Sequence, residues 1–324
     1  MARFLLNDAT MAGQLKSMRH EFGSIERSLQ PRLLAARRVV GDVGAFAETP
    51  QEGERSDLVG LVAANAKRVE ESLRVLEEFG KLPDMGMEPA AFKSARFALY
   101  DIEQAIVSRL LRRERRGRVR GLYVIVDPEL ARGRGELEVA QAAIRGGASV
   151  IQLRDKKRDK GEVLPVARRL KQACAQANVL FIVNDHPDLA LAADADGVHL
   201  GQHDLPVLEA RRILPLDRLV GCSTALFEEA LQAERQGADY IAVGTIYATA
   251  TKAVIRPAGL ETLRRVKAAV SVPVVAIGGI NEGNAAKVAG AGADAIAVVS
   301  AVVSADDVEE AARRLTSKLE SAKS

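Results

Sequence analysis

A chain of 324 residues with 46 basic and 43 acidic side chains has room for two domains, and its net charge of +3 is too balanced to specify a nucleic-acid partner. Residues are 48% hydrophobic with no Trp and 4% aromatic, and the apolar runs are built from Val, Ile, Ala and Leu, as in strands buried on both faces by helices. Two cysteines, Cys174 and Cys222, exclude a disulfide framework or zinc-ligand spacing, and the start lacks a signal-peptide layout; with no apolar run of spanning length, a cytoplasmic chain without a membrane partner is expected.

From residue 1 to about 113 the apolar residues recur at helical spacing. In DLVGLVAANAKRVEESLRVLEEFGKL the set Leu58, Leu61, Val62, Val69, Leu73, Leu76 and Phe79 forms one stripe. Lys67, Arg68, Glu70, Glu71, Glu77 and Glu78 cover the other side. Further helices are predicted at Met11 to Phe22, Ile25 to Val40 and Ala90 to Leu111, with Pro89 in a first turn. A weak repeat relates Arg3–Phe22 to Glu78–Leu99 and matches Lys16, Ser17 and Arg19 with Lys93, Ser94 and Arg96. A long helix with Asn65, Arg68, Glu71 and Arg74 precedes the second copy only. The run NAKRVEESLRVLEE, with RHEF and LLAARRVVGDVG upstream, resembles a small helical domain found ahead of some thiamine-phosphate synthases and described as a hydroxymethylpyrimidine-phosphate kinase of its own type. The alternative is a packing or dimerisation bundle, so a homo-oligomer stays open.

The connector RLLRRERRGRVR, Arg109 to Arg120, reads as a charged helix end stopped at Gly117, with cations favoured near the C-terminus; an anion-attracting cluster is the other reading. The domains are thus placed at 1–117, all helical, and 118–324.

In the second domain apolar runs alternate with amphipathic stretches. Strands are predicted at Leu122–Val126, Val150–Leu153, Leu180–Val183, Gly197–Leu200, Leu219–Cys222, Tyr240–Val243, Val274–Ile277 and Ala295–Val299. Eight such units in about 200 residues favour a (β/α)8 TIM barrel over an open doubly wound sheet.

Function in such a barrel belongs at the C-terminal ends of the strands. Asp185 and Asp204 stand just past two successive strands, where two carboxylates ~5 Å apart repel by about 3 kcal/mol at an effective dielectric near 20. A bound cation removes that repulsion, and oxygen donors suit Mg2+ completed by water and phosphate; helix capping ahead of Pro187 and Pro206 is the plainer reading. Arg154 and Lys156 add a fork and a point charge beside them. Gly278 and Gly279, with Ser300 after the last strand, match the usual barrel phosphate site, and Thr249, Thr251 and Lys252 lie on a loop suited to a second anion. Cys222 reads as a small buried residue and His199 as part of a strand, while His186 and His203 flank the acidic residues. Two anion sites on one rim, one with metal and one without, imply two phosphorylated small-molecule substrates or one bisphosphate. No Ser-His-Asp set accompanies them.

QLRDK, VND, DGVHLGQHD, GCST, TATK, AIGGI and AVVS, in this order, closely resemble the thiamine-phosphate synthases. The resemblance implies a transferase that joins hydroxymethylpyrimidine diphosphate to a thiazole phosphate, giving thiamine phosphate and pyrophosphate with Mg2+. It assigns the pyrimidine diphosphate to Gln152, Leu153, Arg154, Asp155, Lys156, Asn184, Ser223 and Lys252, with Lys252, Arg154 and Ser223 closest to the chemistry. Asp185 and Asp204 would bind the metal; Thr249, Ala250, Thr251, Gly279, Val299 and Ser300 would hold the thiazole phosphate. The family usually has an acidic residue at the position of His203, and prolines in the loop that here reads GTIYATATK. A thiazole-phosphate isomerase-type barrel, which needs no aspartate pair, and a non-catalytic phosphate-ligand scaffold are the competing readings. Lys252→Ala is expected to slow the chemical step as well as weaken binding, which single-turnover measurements separate; a change in KM alone would contradict it.

Overall fold

The computed structural model describes residues 9–36, 57–83, 87–248 and 258–322. The chain divides into two compact units, Met1–Leu111 and Arg112–Ser324. No helix among the described residues is long and apolar enough to cross a membrane.

The first unit holds α1 (Ala9–Ala36), α2 (Leu58–Phe79) and most of α3 (Pro89–Gly117). α1 passes through Gly23 and Pro31 without a break, so the two helices expected before and after Gly23 are one. A glycine inside a helix costs only about 1 kcal/mol, less than a packed helix can offset, and is no stop signal by itself. Residues 37–40 of the second expected helix lie outside the described residues.

α2 is capped by Asp57, whose carboxylate accepts the Gly60 N–H at 2.7 Å. Its buried face shares Val62 and Leu73 with the expected stripe but is turned away from the rest of it. Val62, Ala66, Leu73 and Glu77 point inward, while Val69, Leu76 and Phe79 are exposed at 47%, 38% and 50%. The helix carries apolar residues on two faces, and packing selects the one that also contains Glu77. That carboxylate takes a 2.9 Å hydrogen bond from Arg96, which holds it below the usual carboxylate range. Arg96 also donates to Tyr100, so this member of the sequence repeat is a structural cation. Two apolar clusters complete the unit: Met11 with Val62, Ile102, Ile106 and Leu110, and Leu73 with Phe92, Ala95 and Leu99. Phe22 stacks on Phe92 at 5.8 Å.

The second unit is a closed barrel of eight parallel strands in sequence order. They are β1 (Gly121–Val126), β2 (Ala148–Leu153), β3 (Leu180–Asn184), β4 (Gly197–Leu200), β5 (Leu219–Thr224), β6 (Tyr240–Gly244), β7 (Val274–Ile277) and β8 (Ala295–Val298). The (β/α)8 expectation holds, with α4 (Glu136–Arg145), α5 (Lys160–Gln176), α6 (Pro187–Ala192), α7 (Val207–Ile213), α8 (Phe227–Arg235), α9 (Gly259–Ala269) and α10 (Ala285–Ala289) between strands. α11 (Ser300–Val303) and α12 (Val308–Ser321) follow β8. Alternation along each strand sends one set of side chains outward against the helices and the other into the barrel. Val124, Ile151, Phe181, Val198 and Val220 face outward; Tyr123, Val150, Leu180, Ile182, Leu219 and Tyr240 fill the interior. At Gly221 a side-chain carbon would collide with the ring of Tyr240, so β5 yields the space that a tyrosine of β6 occupies.

The N-terminal rim is closed by a repeated device at the start of β4, β6 and β8. Asp196, Asp239 and Asp294 each accept a backbone N–H from the preceding strand, from Phe181 at 2.9 Å, Val220 at 2.8 Å and Val274 at 2.7 Å. Their own N–H groups return bonds to the carbonyls of the same three residues. Two residues upstream the chain turns in the left-handed region, at Asp194, Gly237 and Gly292. β2 has the same turn at Gly147 and places Ser149 at the equivalent position, donating to the Leu122 carbonyl at 3.0 Å. Each carboxylate is met by a cation: Lys171 at 2.7 Å, Lys267 at 2.8 Å and, at Asp239, both Arg112 at 2.7 Å and Arg211.

Two of the connector arginines, Arg112 and Arg115, are thereby accounted for. Arg112 also donates to the Leu216 carbonyl at 2.8 Å and Arg115 bonds Asp217, so they serve the barrel floor, and the division between units falls within α3 ahead of Gly117. Asp239→Ala would leave two buried guanidiniums without their carboxylate. A loss of about 3–5 kcal/mol is expected in the denaturant-induced transition of the barrel, with catalytic constants of the folded fraction unchanged. A loss below about 1 kcal/mol would show that the clasp contributes little.

Candidate active site

At the opposite rim the side chains singled out by sequence converge. Gln152, Asn184 and Ser223 belong to the last turns of β2, β3 and β5 and not to the loops beyond them. Gln152 is buried, whereas Asn184 and Ser223 are half-buried.

Asp185 follows β3 with φ of +64°, a left-handed conformation that Asp tolerates better than most residues. Its N–H donates to the His199 carbonyl at 2.8 Å, which ties the residue to the end of β4. After β4 the chain turns at Gly201, whose N–H donates to Asp204 Oδ2 at 2.7 Å. A side-chain carbon at Gly201 would lie 2.8 Å from that oxygen, so the glycine lets the carboxylate fold back over the strand end. The two carboxylates are thereby brought into hydrogen-bond contact beyond the ends of the paired strands β3 and β4.

Burial, reinforced by Asp204, pushes the Asp185 carboxyl above its usual range, although Lys156 opposes this. Burial also raises Asp204, but the bond shared with Asp185, the Gly201 N–H and the charges of Lys156 and His186 together bring it below that range. Lys156 forms an ion pair with Asp185. Among the described residues no group of three or more His, Cys, Asp and Glu side chains could hold a metal, so the protein offers two oxygen donors at this point. Such a pair fits a hard divalent ion that takes its remaining ligands from water and substrate.

Arg154 is held by Asp127, a buried residue directly after β1 that sequence reasoning passed over. Asp127 Oδ1 also caps the following turn through the Glu129 N–H at 3.0 Å. Asp155 does not face the rim. Its carboxylate accepts the N–H groups of Lys157 and Arg158, both at 3.0 Å, and Arg158 Nε at 2.6 Å, so it shapes the loop that carries Arg154 and Lys156. Leu153 packs outward against the helices, leaving only its backbone for the rim.

Inside the barrel a second set of polar residues meets Gln152 and Ser223. Gln152 Nε2 donates to Tyr123 Oη at 2.7 Å, and the Tyr123 and Tyr240 hydroxyls are 3.0 Å apart. His199 Nε2 lies 2.8 Å from Ser223 Oγ, and its Nδ1 lies 3.2 Å from the Tyr240 hydroxyl. Gln202 donates to the Ser223 carbonyl. Cys222 is buried on the outer side of β5, where burial above all pushes its thiol up to about 11, in keeping with an inert residue.

On the far side, Gly278 and Gly279 have φ of +102° and +65°, and side chains there would strike Thr245, Tyr247 and Ala248. The chain after β7 can therefore lie against the chain after β6. Val299 and Ser300 follow β8, the neighbour of β7, with Ser300 exposed at the first turn of α11. Thr249, Ala250, Thr251 and Lys252 lie outside the described residues. Among the positions that are described, the structure gathers Gln152, Arg154, Lys156, Asn184, Asp185, Asp204 and Ser223 around the ends of β2 to β5, with Gly279, Val299 and Ser300 at β7 and β8.

Residues 122–302 match the family model of thiamine monophosphate synthase, and residues 1–105 match that of the ThiD2 family. A thiamine-phosphate synthase of a Nostoc species is 41% identical over 98% of this chain and 88% of its own length. One from Chloroflexus aurantiacus is 53% identical over 60% of this chain and 90% of its own. Among solved structures, thiamine phosphate pyrophosphorylase from Pyrococcus furiosus has a TM-score of 0.60 and 42% identity, covering 64% of this chain and 99% of that one. The chain belongs to the thiamine-phosphate synthase family, with a ThiD2-type helical region ahead of its barrel.

Proposed function

We propose that this chain joins hydroxymethylpyrimidine diphosphate to a thiazole phosphate at the C-terminal rim of the barrel, releasing pyrophosphate, with Asp185 and Asp204 holding Mg2+. The observation that carries this reading is the contact between the two carboxylates, with Lys156 ion-paired to Asp185. When bound, Mg2+ would supply positive charge to the departing diphosphate.

The chain's own residues then have distinct tasks. Arg154 and Lys156 are both engaged with carboxylates, Asp127 and Asp185, and a diphosphate would compete with those partners for the same cations. Exchange of one anion for another lets the site hold two cations near the rim without a large penalty in either state. Asp127 presents the Arg154 fork to the rim; Asp155 holds the loop on which both cations sit. Gln152, Asn184 and Ser223 would orient the pyrimidine ring so that its methylene faces the thiazole nitrogen. As the carbon–oxygen bond to the diphosphate breaks, the methylene becomes cationic and the nitrogen's lone pair closes on it. No base is needed for that displacement. Rate then comes from positioning and from stabilising the leaving group's charge. Backbone groups at Gly279, Val299 and Ser300, together with the loop of Thr249, Ala250, Thr251 and Lys252, would hold the thiazole phosphate.

Asp185→Asn keeps a side chain tolerant of the left-handed backbone and removes the charge. Coupled pyrophosphate-release assays across a Mg2+ series should show a raised metal requirement and a kcat lower by about 10²-fold or more. Near-normal turnover without added metal would overturn the metal assignment. Asp127→Ala should raise KM for the pyrimidine diphosphate by roughly tenfold while leaving KM for the thiazole phosphate within about twofold, because of the groups assigned to substrate it releases only Arg154. Equal effects on both substrates would place Asp127 outside this role.

A further inference from the structure

Gln152 on β2 and Ser223 on β5 are three strands apart round the barrel, yet a continuous series of contacts joins them. From Gln152 Nε2 it runs to Tyr123 Oη at 2.7 Å, to Tyr240 Oη at 3.0 Å, to His199 Nδ1 at 3.2 Å and from His199 Nε2 to Ser223 Oγ at 2.8 Å. The intermediate side chains are enclosed: Tyr123, Tyr240 and His199 are 2%, 0% and 8% exposed. Burial raises both phenols above their usual range, so each keeps its one proton.

That single proton decides the direction of the series. Gln152 Nε2 can only donate, so Tyr123 accepts there and its own proton goes to Tyr240. Tyr240 must then donate to His199 Nδ1, which places the imidazole proton on Nε2, facing Ser223 Oγ. Ser223 accepts from the ring and its hydroxyl proton is left for whatever lies at the rim. In the opposite direction Tyr240 and Gln152 would both donate to Tyr123, whose proton would have no acceptor in the series.

We propose that Tyr123, Tyr240 and His199 are positioning residues that couple Gln152 to Ser223, so that the orientation of the Gln152 amide sets the Ser223 hydroxyl as a donor towards an acceptor atom of the pyrimidine diphosphate. This rests on the assignment of Gln152 and Ser223 to that substrate. A substrate that turned the amide end for end would reverse every donor in the series and make Ser223 an acceptor at the rim. The barrel interior would therefore select the donor and acceptor pattern of the ring at two distant points together, as one linked choice.

The test is a double-mutant cycle on the full chain. Gln152→Ala, Ser223→Ala and the pair are assayed for KM and kcat with both substrates, in the native background and with Tyr240→Phe, which keeps the ring that fills the space over Gly221. In the native background the effects on the pyrimidine diphosphate should be non-additive by about tenfold, and with Tyr240→Phe they should multiply to within about twofold. Additive effects in the native background, or the same coupling in both, would overturn the proposal. If neither single variant alters KM or kcat for the pyrimidine diphosphate, the substrate assignment itself fails and the proposal with it. Nitrogen NMR of the unaltered protein gives a second readout that needs no variant to fold: His199 should be the Nε2–H tautomer, and an Nδ1–H tautomer would refute the direction assigned.

Discussion

Two carboxylates in contact at the ends of neighbouring strands are the constraint around which the rim is arranged. Repulsion between them has to be relieved, and in this chain Lys156 pairs with Asp185 while the Gly201 N–H donates to Asp204. Each of these is a weaker solution than a divalent ion. The left-handed backbone at Asp185 and the close turn at Gly201 accompany the approach of the two groups. The neighbouring cations are anchored on acidic residues whose positions come from the ends of other strands.

The two rims of the barrel divide the work between stability and chemistry. At the N-terminal rim Asp196, Asp239 and Asp294 sit in rings of backbone hydrogen bonds with a basic partner each, so their charges are fully committed. At the C-terminal rim Asp185, Arg154 and Lys156 are paired with groups a ligand could replace. Acidic and basic residues occur at both ends; at the N-terminal end each of the three carboxylates also takes a backbone N–H from the preceding strand, which ties it to the barrel wall. Between them the barrel interior is mostly aliphatic but is crossed by a polar series through Tyr123, Tyr240 and His199, which reaches the rim at Gln152 and Ser223.

Much of this was legible in the residues. Eight apolar runs alternating with helical stretches mark the barrel because each buried parallel strand must be aliphatic on both faces, and the observed strands lie within two residues of the expected ones at either end. Asp185 and Asp204 stood out through their repeated placement, each just past one of two successive strands and ahead of a proline. The same reasoning applied to β1 would have reached Asp127, which follows Val126 immediately. The G-A-D starts of β6 and β8 are visible as a repeat, but their role depends on a neighbouring strand offering an N–H, which is a matter of register. Tyr123 and Tyr240 fall at inward positions of their strands, and Gly221 opposite Tyr240 is a size complement that no local pattern reveals. The face of α2 was only partly legible, because periodicity finds apolar positions without saying which of them are covered: Val62 and Leu73 are buried, Val69, Leu76 and Phe79 are not, and Glu77 on the covered side is paired with Arg96.

The central claim is that Asp185 and Asp204 act as one metal-binding unit for a diphosphate. The most direct measurement is an anomalous difference map at the manganese edge from a crystal of the full chain soaked with Mn2+ and pyrophosphate. The account requires one peak within coordination distance of both carboxylates, with the pyrophosphate on its other side. Pyrophosphate bound at the rim with no peak there, or a peak touching neither aspartate, would contradict it.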